Sequence, residues 1–201
     1  MRALVTGFEP FAGGEVNPSQ LLVEALAAEP PEGIELATAV LPVSYSRIDA
    51  ALAEAVRAAE PELVVCFGQA DGRAGISVEQ FALNVDDAES ADNDDAVALP
   101  APIDPEGPAA YRSTLPVDAI VAALRAEGIP AATSRDAGGF LCNHAFYALM
   151  ALLARERPDA RGGFVHVPLL PEQALASRQA SLPLETTVRA GRIALAAALA
   201  Q

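Results

Sequence analysis

The 201-residue chain has no tryptophan, 5% aromatic residues, two cysteines and two histidines. Aliphatic side chains and alanine must therefore fill the core, because 52% of the residues are hydrophobic. Two cysteines are too few for a disulfide framework. We find no signal-peptide pattern, and no apolar run approaches the roughly 20 residues that cross a bilayer. These absences predict a cytoplasmic globular protein with no membrane contact, and the length predicts one domain over residues 1–201.

Positive charge is also scarce: the chain has 13 basic residues and 27 acidic ones, which gives a net charge of −14. Nucleic-acid binding is therefore not expected, because it requires a basic face. The densest acidic stretch contains Asp86, Asp87, Asp92, Asp94 and Asp95. It lacks a nearby histidine and calcium-loop spacing, so we interpret it as solvated and expect no metal. The glycines of residues 7–14 match no nucleotide-binding fingerprint, so the sequence gives little support for nucleotide binding.

Apolar periodicity predicts strands that alternate with helices. Strands are predicted at 3–7, 34–43, 63–68, 131–134 and 163–167, with extended chain at 76–85. Helices are predicted after the Asn17 cap, at 46–59 and 117–127, from Cys142 onward, and at 184–200. Residues 86–115 are predicted to be loop with short strands. This alternation favours a three-layer α/β sandwich with a mostly parallel twisted sheet, whose active residues lie at the carboxyl ends of strands.

The segment GGFLCNH (residues 138–144) is the most informative motif, because it places Cys142 after two glycines at the start of an apolar helix. A helix N-terminus lowers the pKa of a thiol and favours the nucleophilic thiolate. Glycines let backbone N–H groups approach a reacting oxygen closely. Cys66 lies instead in a short apolar strand, where we expect it to be inert core. The motif therefore predicts that Cys142 is a nucleophile.

A catalytic cysteine needs a base, and the chain offers two histidines. His144 is a poor candidate, because side chains two residues apart on a helix point roughly 200° apart. His166 ends a predicted strand, where a parallel sheet presents side chains to a cleft. Glu79, in an otherwise apolar run, could orient that histidine, although the pattern alone is equally compatible with an exposed position.

The chain resembles the pyrrolidone-carboxylate peptidases, also called type I pyroglutamyl peptidases, in the order of several motifs. The resemblance rests on TGFEPF (6–11), NPS (17–19), VEQFALNV (78–85), GGFLCNH (138–144), GFVHVP (163–168) and LPEQ (170–173), in the family's order and spacing. Several independent motifs from residue 3 to about residue 173 make the match specific.

The resemblance implies a phosphorylase-type α/β fold and a cysteine peptidase that removes N-terminal pyroglutamyl residues from peptides. It implies Cys142 as nucleophile, His166 as base and Glu79 as the orienting carboxylate, without a metal or cofactor. It further implies a cytoplasmic homo-oligomer, either a dimer or a tetramer. Family position indicates the residues of the substrate pocket: the apolar Phe8, Phe11, Phe140 and Leu141, and the polar Asn17 and Gln69. We expect no acidic group there.

Two departures from the family's pattern bear on activity. Gln80 and Glu89 stand where the family commonly has basic residues. They leave open a catalytically weak or inactive homologue that binds pyroglutamyl peptides. A nucleoside phosphorylase is suggested only by analogy of fold, and the candidate loops of this chain carry no basic cluster that could bind phosphate. Should Glu79 not orient His166, Asp92 is the secondary candidate.

Overall fold

The structure, a computed structural model, describes residues 1–175 and 177–200 and contains a six-stranded sheet, a two-stranded antiparallel sheet and six helices. The strands are β1 Arg2–Phe8, β2 Glu35–Leu41, β3 Leu63–Gln69, β4 Ile76–Glu79, β5 Phe81–Leu83, β6 Ala110–Arg112, β7 Ala131–Ser134 and β8 Arg161–Val167. The helices are α1 Pro18–Ala28, α2 Ile48–Ala59, α3 Val117–Ala126, α4 Leu141–Glu156, α5 Pro171–Ala174 and α6 Leu184–Leu199.

The large sheet has the strand order β2-β1-β3-β8-β4-β7. All its neighbouring pairs are parallel except β4 and β8, which run antiparallel with Ser77 opposite His166. The predicted α/β class with a mostly parallel sheet is confirmed. The reversal at β4 was not predicted, because apolar periodicity carries no information on strand direction.

Helices cover both faces of this sheet and form two apolar layers. Helices α1, α3 and α6 pack on one face, and α2 and α4 pack on the other. Side chains alternate along each strand, so Val165 and Val167 of β8 face the first layer, whereas Phe164 faces the second. The same alternation turns His166 toward the layer that contains α4. Because both layers pack on one sheet, we propose that the chain forms a single domain.

The predicted elements recur with bounds shifted by at most two residues. Asn17 caps α1 as expected, since its Oδ1 accepts a hydrogen bond from the N–H of Ser19. The extended segment 76–85 contains two strands, β4 and β5, which are separated by Gln80. β5 pairs with β6, which lies within the predicted loop 86–115. Among the residues that the structure describes, no helix combines the length and apolar surface that crossing a bilayer requires.

Candidate active site

Cys142 is the second residue of α4 and remains partly exposed. Among the described residues, no side chain caps the N-terminus of this helix, and its first intrahelical backbone bond runs from the N–H of His144 to the carbonyl of Phe140. The N–H groups of the first turn are therefore available as donors beside the thiol. Gly138 adopts a φ of +85° just before this turn, a conformation that favours glycine.

The second glycine of the motif, Gly139, has a different role. Its carbonyl accepts a hydrogen bond from the N–H of Asp87 at 2.9 Å, and a Cβ at Gly139 would collide with the Asp87 backbone. Gly139 thus lets the turn before Cys142 pack directly against the acidic loop (residues 86–95). Close packing explains glycine at position 139, whereas the positive φ explains glycine at position 138.

His166 lies near the end of β8, and its side chain is 3% exposed. Its Nδ1 is 2.8 Å from Oε1 of Glu79, which is fully buried. Burial lowers the pKa of His166 and outweighs the hydrogen bond and charge of Glu79, which raise it. His166 is therefore a neutral imidazole at neutral pH, the form that accepts a proton.

Glu79 has a second partner that the sequence analysis missed. Arg73, in the turn before β4, places Nη1 2.8 Å from the same Oε1 and donates through Nη2 to the carbonyl of Asp136 at 2.8 Å. Oε2 of Glu79 is buried without a partner among the described residues. Arg73 lies six residues before Glu79, on a turn, so strand and helix periodicity gave no signal for this contact.

The prediction of a lowered thiol pKa at Cys142 is wrong. Burial, and after it the charge of Glu79, raise the pKa of Cys142 to about 12, although Arg73 lowers it. The residues packed around the helix start reduce the solvation of the thiol, which disfavours its charged form. The resting nucleophile is therefore a neutral thiol. Cys66 is buried, as predicted, and burial raises its pKa to about 12.

Cys142 and His166 line one cavity of about 240 Å³. All six residues predicted for the substrate pocket line it too: Phe8, Phe11, Asn17, Gln69, Phe140 and Leu141. The rings of Phe11 and Phe140 pack with their centroids 6.0 Å apart. The lining also includes Arg73 and Asp71, so the expected absence of an acidic group is wrong. Asp71 is exposed and shared with a neighbouring cavity, which places it at the rim.

The two polar pocket residues are held by hydrogen bonds. Asn17 Oδ1 accepts from the N–H and hydroxyl of Ser19, while its Nδ2 donates to the Glu9 carbonyl, which leaves one N–H free of these bonds. Gln69 donates to Asp71 at 2.9 Å, and its Oε1 accepts from Gln173 at 3.1 Å. Both amides are thus held in fixed orientations before any ligand arrives.

Asp92 is not among the described residues that line this cavity and instead holds backbone groups of the surrounding loops. Its carboxylate accepts hydrogen bonds from the N–H groups of Tyr45, Asp94 and Ala96, at 2.8–2.9 Å. Asn93 beside it donates to Glu9 Oε1 and to the Pro10 carbonyl. This part of the acidic loop ties the chain around the cavity together.

Gln80 and Glu89, which stand where the family commonly has basic residues, are not among the described residues that line the cavity. Gln80 accepts a hydrogen bond from Arg135 Nε at 3.3 Å, so a guanidinium reaches this position from a different part of the chain. Glu89 is exposed.

His144 packs near the helix start, as predicted, and lies between two carboxylates. Its Nδ1 is 2.8 Å from Asp86 Oδ2, and its Nε2 is 3.1 Å from Asp49 Oδ1. Burial lowers the pKa of His144, but the two acids outweigh it and raise the pKa to about 9. Both ring nitrogens are occupied, so His144 is a charged link between α4, α2 and the acidic loop.

Comparison with known proteins shows the family to which the chain belongs. The model of the pyroglutamyl peptidase family matches residues 1–201. The chain is 49% identical over 197 residues to a pyrrolidone-carboxylate peptidase of Streptomyces coelicolor, covering 98% of this chain and 91% of the relative. It is 50% identical over 190 residues to the enzyme of that name from Gloeobacter violaceus, covering 94% and 92%. The crystal structure of pyroglutamyl peptidase I from Bacillus amyloliquefaciens superimposes with a TM-score of 0.96 at 40% identity, covering 100% and 97%.

Proposed function

Because the chain belongs to the pyroglutamyl peptidase family, we propose that it is a cysteine peptidase that removes an N-terminal pyroglutamyl residue from peptides through Cys142, His166 and Glu79. One observation carries this proposal: a neutral histidine held by a buried carboxylate lines the same cavity as a cysteine at an uncapped helix start.

Attack begins with a proton transfer. With Nδ1–H of His166 donating to Glu79, Nε2 keeps a lone pair that accepts the proton of the Cys142 thiol. The sulfur then forms a bond to the carbonyl carbon of the pyroglutamyl residue, and the carbonyl electron pair moves onto oxygen. Because the thiol has a raised pKa, the proton transfer takes place after substrate binding, together with the attack of the sulfur.

The developing oxyanion requires hydrogen-bond donors that are already in place. The backbone N–H of Cys142 and its neighbours in the first turn of α4 supply such donors, since no side chain caps them. Removing one such donor from an enzyme of this type typically costs about a hundredfold or more in turnover.

Collapse of the intermediate breaks the C–N bond, and the imidazolium of His166 donates its proton to the departing amine. The product peptide leaves, and the pyroglutamyl group remains as a thioester on Cys142. His166 then takes a proton from water, the hydroxide oxygen attacks the thioester, and the proton returns to the sulfur as pyroglutamate departs. Each step is a proton or acyl transfer, so no redox partner is required.

The cavity suits a small neutral lactam. Phe8, Phe11 and Phe140 provide apolar walls for the ring, while Asn17 and Gln69 offer fixed amide groups for its N–H and carbonyl. The alternative of an inactive pyroglutamyl-peptide binder rests on Gln80 and Glu89. Neither residue lines the cavity, so no observation favours it.

Release of a chromogenic amine from a pyroglutamyl amide tests the proposed function. We expect turnover by the wild-type protein, its loss on alkylation of Cys142, and no detectable turnover by a folded Cys142→Ser variant. Cys66→Ser is the matched control and should keep substantial activity. A folded wild-type protein that binds the substrate without hydrolysing it would support the binder instead.

Location and assembly stay predictions. We propose a cytoplasmic enzyme that forms homodimers or homotetramers. Light scattering after size-exclusion chromatography measures the molecular mass in solution, and a monomer would contradict the proposed assembly.

A further inference from the structure

We propose that Arg73 is a positioning residue for catalysis: it holds Glu79 in the orientation that fixes His166 and links this pair to the segment before the nucleophile. This inference rests on the proposed function. Arg73 is not itself a member of the triad of Cys142, His166 and Glu79.

The need for Arg73 follows from the burial of Glu79. The carboxyl group is fully buried, and Oε1 alone makes both of its contacts, to Arg73 Nη1 and to His166 Nδ1. A buried carboxylate is strongly disfavoured unless opposite charge and hydrogen bonds compensate it. His166 is neutral at rest and supplies a hydrogen bond without a full charge. The permanent charge of Arg73 therefore stabilises Glu79 as an anion.

The guanidinium has a second contact that a single ammonium could not make in the same geometry. Nη1 meets the Glu79 carboxylate and Nη2 meets the Asp136 carbonyl, both at 2.8 Å. Asp136 in turn accepts the N–H of Gly138, the first glycine of the nucleophile turn, at 2.8 Å. Arg73 thus connects the acid on β4 to the segment that leads into α4.

Arg73 also affects the proton on the histidine. Its charge lowers the pKa of His166, in the same direction as burial and against the effect of Glu79. Removing this charge should increase the proton affinity of His166. More of the base would then be protonated at neutral pH and unable to accept the thiol proton.

The matched variants are Arg73→Gln, which removes the charge, and Arg73→Lys, which keeps the charge but not the two-pronged geometry. Arg135→Gln is the control, because Arg135 is exposed and contacts Gln80. For Arg73→Gln we expect kcat to fall about 10- to 100-fold with little change in KM, the size typical of a misplaced catalytic group. The acid limb of the kcat/KM profile should move to higher pH. It should stay in place in Arg73→Lys, and Arg135→Gln should match the wild type.

Two outcomes would overturn the proposal. One is a folded Arg73→Gln variant with wild-type kcat and an unmoved acid limb. The other is a loss confined to KM, which would make Arg73 a substrate contact. The double variant Arg73→Gln/Glu79→Gln separates the mechanisms further: if Arg73 acts through Glu79, the double variant is no slower than Glu79→Gln. Multiplicative losses would contradict the proposal.

A readout independent of turnover separates this inference from the proposed function. The chain has two histidines, so NMR titration with labelled histidine follows both rings, and a His144→Gln variant assigns them. In Arg73→Gln the His166 titration should move to higher pH while that of His144 stays unchanged as an internal reference. An unmoved His166 titration overturns the role of Arg73 even if the enzyme is active. An inactive wild type with a shifted titration contradicts the peptidase function alone.

Discussion

Gly68 leaves the space that the sulfur of Cys142 occupies: a Cβ on Gly68 would lie 2.8 Å from Sγ. Gly68 is the register partner of His166 across the β3–β8 pair. The base and the space for the nucleophile are thus set by one pair of neighbouring strands. In the sequence, Gly68 is recognisable only as the last residue of a predicted strand, because its contact with Cys142 joins residues 74 positions apart.

Gly68→Ala should therefore reduce kcat/KM by about a hundredfold or more, since the added methyl group would lie 2.8 Å from the sulfur and 2.7 Å from the Phe164 ring and would displace the nucleophile. Gly162→Ala is the matched control, because its Cβ would meet Leu153 at 2.5 Å at the other end of β8. Both variants should lose roughly 1–3 kcal/mol of stability from overpacking. Activity assays on thermally characterised proteins check this, and equal activity losses in both variants would refute a local effect.

Alkylation of Cys142 by iodoacetamide should accelerate with pH up to strongly alkaline conditions. Burial raises the pKa of this thiol to about 12, so the thiolate fraction keeps increasing through the accessible range. The measurement is the alkylation rate of the free enzyme between about pH 6 and pH 10, with Cys142→Ser as the control for background labelling. A plateau near neutral pH would instead reveal a preformed thiolate.

Glu79→Gln should lower turnover by about two to four orders of magnitude, because the amide keeps the shape but removes the charge that stabilises the imidazolium. Steady-state kinetics on the chromogenic substrate measure the loss. Asp92→Asn is the comparison, and we expect it to act through stability rather than turnover, since Asp92 holds backbone N–H groups. Near-normal turnover in Glu79→Gln would refute the assigned role.

His144 should make stability depend on pH. Its pKa rises from 6.5 to about 9 on folding, so its contribution is fully present below about pH 6.5 and is lost as the pH rises through about 9. We expect the free energy of unfolding to fall by about 1–2 kcal/mol across this window, a modest value because Asp49 is exposed. Urea unfolding from pH 6 to pH 10 measures it. His144→Gln should flatten this dependence, and an unchanged slope would contradict it.

Pyroglutamyl substrates should be preferred over glutamyl, glutaminyl and prolyl versions of the same reporter by about a hundredfold or more. The last three carry an ammonium that must be desolvated against the walls formed by Phe8, Phe11 and Phe140. Asp71→Asn tests the acid at the rim: if Asp71 does not meet the ammonium, this variant keeps the preference. Comparable kcat/KM values for the four substrates would refute both the pocket argument and the assigned substrate.

The sequence predicted the parts of the site that local patterns encode. The glycine pair and apolar run marked Cys142 at a helix start, and the strand ending before Pro168 marked His166. Glu79 was assigned by the family resemblance, because the apolar run alone was equally compatible with an exposed side chain. In the structure Ile76 and Val78 face one layer, so Glu79 faces the other, toward α4.

Two features escaped prediction because they depend on packing between distant segments. Arg73 reaches Glu79 and Asp136 across a turn, and a pattern of apolar residues does not encode such a side-chain bridge. The thiol pKa was predicted in the wrong direction because the helix start was considered without the residues that bury it. Burial at Cys142 involves segments far away in the chain, such as β3, where a Cβ on Gly68 would lie 2.8 Å from the sulfur.

The strand order has a consequence for how the protein is made. β3 and β4 are consecutive in the chain, yet β8 lies between them in the sheet. During synthesis from the N-terminus, both strands must keep an unpaired edge until residues 161–167 emerge from the ribosome. Unpaired strand edges are prone to aggregation. The same strand carries His166, so catalytic competence arises only when the middle of the sheet closes, and turnover reports on complete folding of a newly made chain.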